Sequence, residues 1–439
     1  MEWRKEIKIL FWIVFFFLLA FFMPLESLRF QEAVAATLDL TRWYAQEHVI
    51  LCLLPAFFIA GVISVFVSQG AILKYFGAQA KKWVAYSVAS VSGTILAVCS
   101  CTILPLFSSI HKRGAGLGPA VAFLYSGPAI NILAIILTAR ILGFEMGVAR
   151  IIGAVVFAIV IGSVMAFIYR KEEKEKADEQ MKVVVPPEKR PMWQTAFHFF
   201  TLVAILVFAN WGKPDEGVES GLWYWIWANK WYLTSFFGLG LVYSLIFILK
   251  IEWWQVVLIA VATAIAGLLS PSPLVPMVVG IAGVSIITLR DKNDPDNREW
   301  TISSWEFTKQ IMPLLAVGVV IAGFLLGSTH DDVQMAGIIP SEWIAALVGG
   351  NSVFSNFFAS IVGAFMYFAT LTEVPILQGL IASGMGKGPA LALLLAGPSL
   401  SLPNMLVIRG IMGTQKTLVY VVFVVIMATV SGLIYGSIF

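Results

Sequence analysis

Charged side chains are scarce in this chain and are confined to a few short stretches. Only 13% of its 439 residues are charged, against about a quarter in a typical globular protein, and 59% are hydrophobic. The stretches 1–8, 170–192 and 290–299 carry 25 of the 55 charged residues within 41 positions. What remains is long, almost uncharged and apolar, which only a lipid bilayer can solvate. This composition excludes a soluble enzyme, a nucleic-acid-binding protein and a disordered chain.

Cysteine is also scarce, with only Cys52, Cys99 and Cys101 in the chain. An odd number of cysteines offers no disulfide framework. A phosphate-binding loop is missing too. The chain has two glycine-rich turns, at 111–119 and 383–389, and neither ends in Gly-Lys followed by Ser or Thr. We therefore expect no ATPase within the chain, no cofactor, no nucleic-acid partner and no enzymatic activity, and the sequence indicates no ATPase subunit as a partner.

Long apolar runs dominate what is present. A membrane-spanning helix needs about 20 apolar residues. The first run, 7–23, is interpreted as a retained helix because a possible signal-peptidase site lies too far downstream. The same rule predicts further spans at 46–70, 117–140, 145–169, 193–211, 231–250, 253–269, 274–289, 307–327, 387–409 and 415–437. Three prolines interrupt 253–289, which is either two short spans or one long kinked span.

Two further apolar segments, 83–110 and 358–382, fit a spanning helix badly. Each contains a proline near its middle, Pro105 or Pro375, in a polar neighbourhood. Irregular backbone at membrane depth is tolerated only where protein or a water-filled cavity satisfies it. Both segments are therefore predicted to be broken, re-entrant hairpins. If 83–110 returns to its starting side, the linker 170–192 with its seven Lys and Arg residues lies in the cytoplasm, in agreement with the positive-inside rule.

The two hairpins belong to an internal repeat. Shifting the chain by 270 residues aligns 93–143 with 363–413 without a gap and gives 14 identities over 51 positions. Most identities are Gly or Pro, such as Gly118 with Gly388 and Pro128 with Pro398. Apolar residues match by composition in any two membrane segments, but glycines and prolines do not. Paired, Gly/Pro-interrupted segments in two halves of a chain are typical of the binding sites of secondary transporters.

We therefore predict an all-α polytopic membrane protein with ten or eleven transmembrane helices and two re-entrant hairpins in a two-fold internal repeat. The repeats are inverted if 253–289 crosses the membrane twice and parallel if it crosses once; charge placement favours inversion. The predicted units are an N-terminal membrane helix with an amphipathic segment, a first repeat, a charged cytoplasmic linker, intervening transmembrane helices and a second repeat, at 1–45, 46–169, 170–192, 193–303 and 304–439.

Cys99 and Cys101 flank Ser100 at the predicted break of the first hairpin. Residues i and i+2 point apart in a helix but share one face in extended backbone. An unwound break would let both thiolates bind one soft ion, such as copper(I), zinc or trivalent arsenic. Buried cysteine also serves as a small hydrophobic residue, an interpretation that is equally open here. The same interpretation is favoured for Cys52, for which a role as a third ligand is the alternative. The second repeat has no cysteine at the equivalent positions, so the thiol chemistry is one-sided.

Glu373 follows Thr372 in the second hairpin, within an apolar run. Ionisable residues in membrane segments commonly mark ion or proton pathways, which makes Glu373 a candidate for proton coupling. The alternative is a carboxylate that caps the broken helix or pairs with a basic residue.

Polar side chains after the two Gly-Pro dipeptides, Asn131, Ser399, Ser401 and Asn404, are candidates to line the cavity or to bond neighbouring helices. The glycine-rich turns at 111–119 and 383–389 each precede a helix N-terminus, where anions bind favourably.

The run CSCTILPLFSSIHKRGAGLGPAVAFLYSGPAINILAIILTARILG at 99–143 and its counterpart ATLTEVPILQGLIASGMGKGPALALLLAGPSLSLPN at 369–404 resemble the two halves of the ArsP-like predicted permeases, the organoarsenical efflux permease family. The chain departs from common members in having Thr102 after the cysteine pair and Gly-Pro-Ala-Ile-Asn at 127–131.

This resemblance implies a multi-pass permease of the cytoplasmic membrane in contact with lipid, which exports trivalent organoarsenicals or arsenite, with Cys99 and Cys101 as the thiolate ligands of arsenic. The predicted substrate-binding residues are Cys99, Ser100, Cys101, Pro105, Asn131, Thr372, Ser401 and Asn404, and Glu373 is the predicted proton carrier. Two alternatives stay open: an anion permease that uses helix N-termini, and a membrane metal-handling or redox protein that uses the Cys-Ser-Cys motif.

Overall fold

A computed structural model describes residues 3–67, 81–96, 100–112, 114–130, 132–175, 190–212, 221–330, 333–339, 347–366, 373–382 and 384–439. The N-terminal half contains α1 Trp3–Phe21, α2 Leu28–Tyr44, a π-helical segment Ala45–Leu53, α3 Leu54–Val65, α4 Lys82–Leu96, α5 Ser100–Lys112, α6 Leu117–Ala129, α7 Ile132–Ile141 and α8 Phe144–Ile168. The middle contains α9 Met192–Ala209, α10 Leu222–Ala228, α11 Lys230–Tyr243 with a π-helical end Ser244–Ile248, α12 Trp253–Leu269 and α13 Leu274–Arg290. The last part contains α14 Pro295–Leu326, β1 Gly327–His330, β2 Val333–Ala336, α15 Val353–Phe365, α16 Glu373–Ala382, α17 Lys387–Leu400, α18 Leu402–Met412 and α19 Thr414–Ile438.

The protein is an all-α polytopic membrane protein, and its described residues include one short antiparallel pair of strands, in which Gly327 pairs with Ala336. Among the described residues, six helical runs are long and apolar enough to cross a bilayer, and the bent pair of α17 and α18 makes a seventh. Three shorter apolar helices, α12, α13 and α15, accompany them. This number is lower than the ten or eleven predicted spans for three reasons: α12 and α13 have only 17 residues each, α1 carries four charged residues, and the predicted span 117–140 is divided into α6 and α7.

The segment 253–289 forms two helices that run antiparallel. Each has 17 residues and is therefore about 25 Å long. A Cβ atom on Gly283 would lie 2.5 Å from Ile259, and a Cβ atom on Gly280 would lie 3.6 Å from Thr263, so the partner number falls as the glycine number rises. The chain thus reverses between α12 and α13, which is the two-helix alternative for this segment.

Helices α6 and α17 form the centre of the molecule. Every residue of α6 is buried, and so is every residue of α17 after Lys387. A helix that is apolar on all sides needs neighbours around its whole circumference. In α6 and α17 those neighbours include the equivalent helices of each repeat, α8 and α19, and α6 also contacts α17 directly. The two repeats therefore meet along α6 and α17.

The first hairpin consists of α4 and α5, and its two limbs run in opposite directions. Along α4, Tyr86 lies beside Gly118, and the Ala89 carbonyl accepts a 2.9 Å hydrogen bond from Ser126 Oγ, so α4 runs parallel to α6. On α5, Ile103 lies beside Gly127 near the far end of α6, while the end of α5 is joined to the start of α6 by a short turn. Both open ends of the hairpin therefore lie beside the N-terminus of α6, as a re-entrant segment requires.

The second hairpin, α15 and α16, has the same arrangement beside α17. Asn356 of α15 lies against Gly388 at the start of α17, and Gly363 lies against Leu393 further along it. A short turn joins α16 to α17, so the returning limb is again antiparallel to the buried helix.

The repeat offset of 270 residues reappears in the backbone. Helices α8 and α19 both contain 25 residues, and their bounds differ by 270 at each end. Gly143 and Gly413 precede them with φ of +104° and +85°, values that favour glycine. The same close helix crossing occurs in each repeat. A Cβ atom on Gly162 would lie 2.6 Å from the Gly118 carbonyl oxygen, and one on Gly432 would lie 2.7 Å from the equivalent Gly388 oxygen.

The equivalent helices α8 and α19 contact each other and run antiparallel. After the C-terminal end of α8, Tyr169 lies beside Lys416 at the start of α19, with 5.3 Å between Lys416 Nζ and the ring centroid. At the other end, Glu145 near the start of α8 interacts electrostatically with Tyr435 near the end of α19.

Candidate functional site

Each hairpin reaches across to the opposite repeat. The returning limb of the first hairpin, α5, packs against α18 of the second repeat, and the returning limb of the second hairpin, α16, packs against α7 of the first repeat. Because α7 and α18 follow the Gly-Pro dipeptides of α6 and α17, the returning limbs α5 and α16 lie near these helix breaks. The candidate site therefore has two halves, one formed by α5 and α18 and the other by α16, α7 and α8.

The first half contains the Cys-Ser-Cys motif. Ser100 and Cys101 form the first turn of α5, whereas Cys99 and the side chains of Ser100 and Cys101 lie outside the described residues. Gly127 allows the start of α5 to approach α6, because a Cβ atom on residue 127 would lie 2.6 Å from Ile103 Cδ1.

The prediction that Pro105 breaks the first hairpin is wrong, because Pro105 lies inside α5 and is buried. Proline has no amide hydrogen, so residue 105 leaves the Cys101 carbonyl without its usual helical donor. Pro105 thus frees a backbone carbonyl of the Cys-Ser-Cys motif but does not interrupt α5. Pro375, in contrast, is the third residue of α16, where an amide hydrogen has no helical partner anyway.

The second repeat contributes two buried polar side chains to this half. The chain bends by 47° between α17 and α18, and Ser401 at the bend and Asn404 in the next turn are 3% and 2% exposed. Ser401 Oγ and Asn404 Oδ1 have no hydrogen-bond partner among the described residues. Buried polar atoms are nearly always bonded, and unpaired ones commonly mark functional positions. Ser399, two residues before Ser401, instead donates a 3.4 Å hydrogen bond to the Tyr125 carbonyl.

The other half is organised by an ion pair between Arg150 of α8 and Glu373 of α16. Arg150 Nη2 donates to Glu373 Oε1 at 2.5 Å, and the two side chains are 0% and 1% exposed. The pair joins the first repeat to the second, across 223 positions of sequence. Glu373 therefore pairs with a basic residue, which is one of the roles that the sequence left open for it. Its second oxygen, Oε2, has no hydrogen-bond partner in the described part of the chain.

Arg150 is also bonded within its own repeat. Its Nη1 donates to Thr138 Oγ1 at 2.8 Å, and its Nε donates to the Ala129 carbonyl at 3.3 Å. Thr138 in turn donates to the Ala134 carbonyl at 2.7 Å. The guanidinium group thereby connects the end of α6, the middle of α7 and α8. Sequence reasoning did not identify Arg150 as a site residue. The available signal was the occurrence of an arginine inside the predicted membrane span 145–169.

The repeat relationship shows that this ion pair is one-sided. Arg150 corresponds to Tyr420 and Glu373 corresponds to Ile103 at the 270-residue offset. Tyr420 is fully buried, and its hydroxyl has no hydrogen-bond partner among the described residues. The buried charge pair is therefore confined to the half formed by α16, α7 and α8.

Asn131 and Thr372, the remaining predicted site residues, lie outside the described residues. Cys52 is 6% exposed and belongs to the apolar core, as expected for packing. The π-helical segment that contains it contacts α5. Across the described ranges, no three His, Cys, Asp or Glu side chains are grouped as a metal site.

The N-terminus of α6, a candidate anion site, is already bonded to a carboxylate of the chain. Glu173 Oε2 accepts the Leu117 amide hydrogen at 2.8 Å. The neighbouring Glu172 forms an ion pair with Lys416 of the second repeat. The start of the charged linker is thus attached to both repeats, and the hypothesis of a free anion site at this helix end is not supported.

The open end of the first hairpin is fixed to α14. Lys112 Nζ donates to Gln310 Oε1 at 3.0 Å and lies 4.9 Å from the centroid of the Phe307 ring. Burial lowers the pKa of Lys112, and the charge of Glu306 partly offsets this effect.

A cavity of about 950 Å³ lies apart from both halves, between α11, α12 and α13. Its lining is mainly apolar and includes Phe58, Trp231, Leu245, Ile259 and Trp300. It contains none of the predicted site residues.

Comparisons with known proteins identify the family of the chain. Residues 34–437 match a family model, ArsP_1, described as "Predicted permease". The chain is 41% identical over 395 residues to UPF0718 protein MJ0584 of Methanocaldococcus jannaschii, which covers 90% of this chain and 93% of that protein. It is 24% identical over 123 residues to UPF0718 protein YcgR of Bacillus subtilis, covering 28% of this chain and 41% of YcgR. It is 26% identical over 110 residues to UPF0718 protein YraQ of Escherichia coli, covering 25% of this chain and 28% of YraQ. No solved structure matches the chain.

Proposed function

The chain belongs to the ArsP_1 family of predicted permeases, and from this premise we propose that it is a secondary transporter of the cytoplasmic membrane that works by alternating access. The observation that supports this most directly is the pair of hairpins, each of which reaches into the opposite repeat beside a Gly-Pro break. Broken segments of this kind form the substrate sites of transporters built from repeats.

We further propose that the two repeats are inverted in the membrane. The antiparallel course of the equivalent helices α8 and α19 supports this orientation, as does the reversal of the chain between α12 and α13. In an inverted repeat the two halves exchange roles as the site opens to one side and then to the other.

The proposed substrate is a soft, thiophilic species such as a trivalent organoarsenical or arsenite, which the protein exports. Cys99 and Cys101 are its proposed thiolate ligands, since thiolates select soft ions. Ser100 and the Cys101 carbonyl that Pro105 leaves without a helical donor would add polar contacts. The contact of α5 with α18 supports the addition of Ser401 and Asn404 to this group. Asn131 and Thr372 are proposed contacts in the other half.

Proton exchange is the proposed driving force, with Glu373 as the carrier. A carboxylate in a buried, low-dielectric position is costly to ionise, and such residues in membrane segments commonly serve proton pathways. The unpaired Oε2 atom of Glu373 offers the position for the proton.

The test is uptake of methylarsenite into everted membrane vesicles with and without a proton gradient. We expect gradient-driven uptake by the wild type, loss of uptake in the Cys99→Ser/Cys101→Ser variant, and retained uptake in the matched control Cys52→Ser. Uptake no greater than in empty vesicles would reject this substrate. Equal uptake by the double variant would reject the thiolate site.

The same variants separate the alternatives. An anion permease would keep its activity after serine replaces both cysteines, whereas a membrane redox or metal-handling protein would lose a thiol-dependent activity without any gradient-driven flux. The bond between Glu173 and the N-terminus of α6 makes the anion alternative weaker than the thiophile transporter.

A further inference from the structure

The ion pair of Arg150 and Glu373 is the buried contact in which opposite charges of the two repeats meet. We propose that it acts as a proton-controlled latch. In this latch, Arg150 is the positioning residue that holds the second hairpin against α8 while Glu373 is ionised, and protonation of Glu373 releases the hairpin. This proposal deepens the proposed function and rests on the proton exchange assigned there to Glu373.

The bonding of Arg150 determines where the latch opens. Its bonds to the Ala129 carbonyl and to Thr138 Oγ1 both lie within the first repeat, and neither acceptor changes protonation state. The remaining bond, to Glu373 Oε1, is the one that crosses to the second repeat. A change of charge on Glu373 therefore weakens the contact between the repeats and leaves Arg150 anchored in the first.

Protonation also changes the charge balance of the buried site. The ionised pair has a net charge of zero, but a proton bound at Oε2 leaves the guanidinium as an uncompensated charge with almost no exposure. A buried charge that loses its partner is strongly unfavourable. Movement of the hairpin that admits water or substrate beside Arg150 relieves this cost. Proton binding is thereby coupled to a displacement of one repeat against the other.

Among the side chains that the structure describes, few other ionisable groups face this pair. Tyr125 of α6 interacts electrostatically with Arg150 and with Tyr420 of α19, and Tyr125 donates a 2.8 Å hydrogen bond to the Leu395 carbonyl. Of the described side chains, Arg150 is the charged group that acts on Glu373, and Thr138 is the neutral polar group of α7 that bonds Arg150. Tyrosine hydroxyls titrate near pH 10 in water, so Glu373 is the member of this group suited to a physiological proton.

The first hairpin cannot form the same latch, because Ile103 occupies the position equivalent to Glu373. The latch therefore binds one proton per molecule. For one proton, the ratio of open to closed molecules changes by about tenfold per pH unit at most.

The test measures the distance between the repeats by pulsed electron spin resonance on the full-length protein in lipid nanodiscs. Spin labels are placed at the exposed positions Ile152 of α8 and Gln378 of α16, in a background where serine replaces the native cysteines. With Glu373 unchanged, we expect a short and a long distance, with the long one increasing as pH falls. Glu373→Gln keeps the shape and a hydrogen bond to Arg150 but cannot ionise, so the long distance should dominate at every pH.

Two further variants exclude trivial explanations. Glu172→Gln removes an exposed interrepeat ion pair and should leave the pH dependence unchanged. Arg150→Met/Glu373→Leu replaces both charges by apolar groups, which is often tolerated in a folded protein, and should abolish the pH dependence. A distance distribution that does not respond to pH with Glu373 intact, or an unchanged response in Glu373→Gln, would overturn the latch.

This readout is independent of transport. A pH-dependent distance without methylarsenite uptake would retain the latch and reject the proposed substrate. Gradient-driven uptake with a pH-independent distance would retain the proposed function and reject the latch.

Discussion

Alanine in place of Gly162 or Gly432 tests whether the two repeats contain the same helix crossing. At Gly162 the new methyl group would lie 2.6 Å from the Gly118 carbonyl oxygen and 2.9 Å from the ring of Tyr86. At Gly432 it would lie 2.7 Å from the equivalent Gly388 oxygen. Since the nearest obstacles include backbone in both cases, the helices themselves must move apart by several tenths of an ångström.

The magnitude follows from two opposing effects. Overpacking of a close contact costs about 1–3 kcal/mol, whereas alanine is favoured over glycine within a helix by about 1 kcal/mol. We therefore expect each substitution to destabilise the protein by up to about 2 kcal/mol. Gly238 of α11 is the matched control, because a Cβ atom there has nothing within 4 Å. Gly238→Ala should keep the helical gain and stabilise the protein by about 1 kcal/mol.

The assay is thermal unfolding of the purified protein in detergent, followed by helical circular dichroism. Gly162→Ala and Gly432→Ala should both lower the unfolding midpoint, and Gly238→Ala should raise it slightly. A Gly162→Ala or Gly432→Ala protein that unfolds at or above the midpoint of Gly238→Ala would refute the close crossing in that repeat.

Three further predictions concern the linker and the site. A cysteine introduced at Lys176, in a background without native cysteines, should react with an impermeant maleimide in everted vesicles but not in intact cells; the reverse pattern would place the linker outside. Glu173→Gln should weaken the cap of α6 and lower the stability by about 0.5–2 kcal/mol in thermal unfolding, while the exposed neighbour Glu175→Gln should have no effect; equal effects of the two would contradict the cap. Ser401→Ala removes a hydroxyl that has no partner in the described structure, so the unfolding midpoint should stay the same while the KM for methylarsenite rises several-fold; an unchanged KM would remove Ser401 from the site.

The repeat could be predicted from sequence because it depends on residues that resist chance matching. Gly143 and Gly413 were aligned by identity, and both have the positive φ that explains why glycine occurs there. Gly118 and Gly388 were aligned in the same way, and each lies at a close helix crossing. Local constraints on glycine are visible in a single sequence even where the tertiary partner is not.

The ion pair could not be predicted, because its members are 223 residues apart and only the fold brings them together. Sequence reasoning identified Glu373 from its apolar surroundings but had no means to select Arg150 among the basic residues of the chain. The position of Pro105 was misjudged for a related reason. A proline near the start of a buried helix is tolerated when neighbouring helices satisfy the backbone groups that it leaves unbonded. These tertiary contacts cannot be inferred from a single sequence.

The most direct test of the central claim is proton movement in proteoliposomes that contain the purified protein and an internal pH-sensitive dye. Methylarsenite added outside should enter in exchange for protons, so the interior of wild-type vesicles should become more alkaline. The Cys99→Ser/Cys101→Ser and Glu373→Gln variants should show no such change. Entry of methylarsenite into wild-type vesicles without any change in the internal pH would contradict proton exchange at this site.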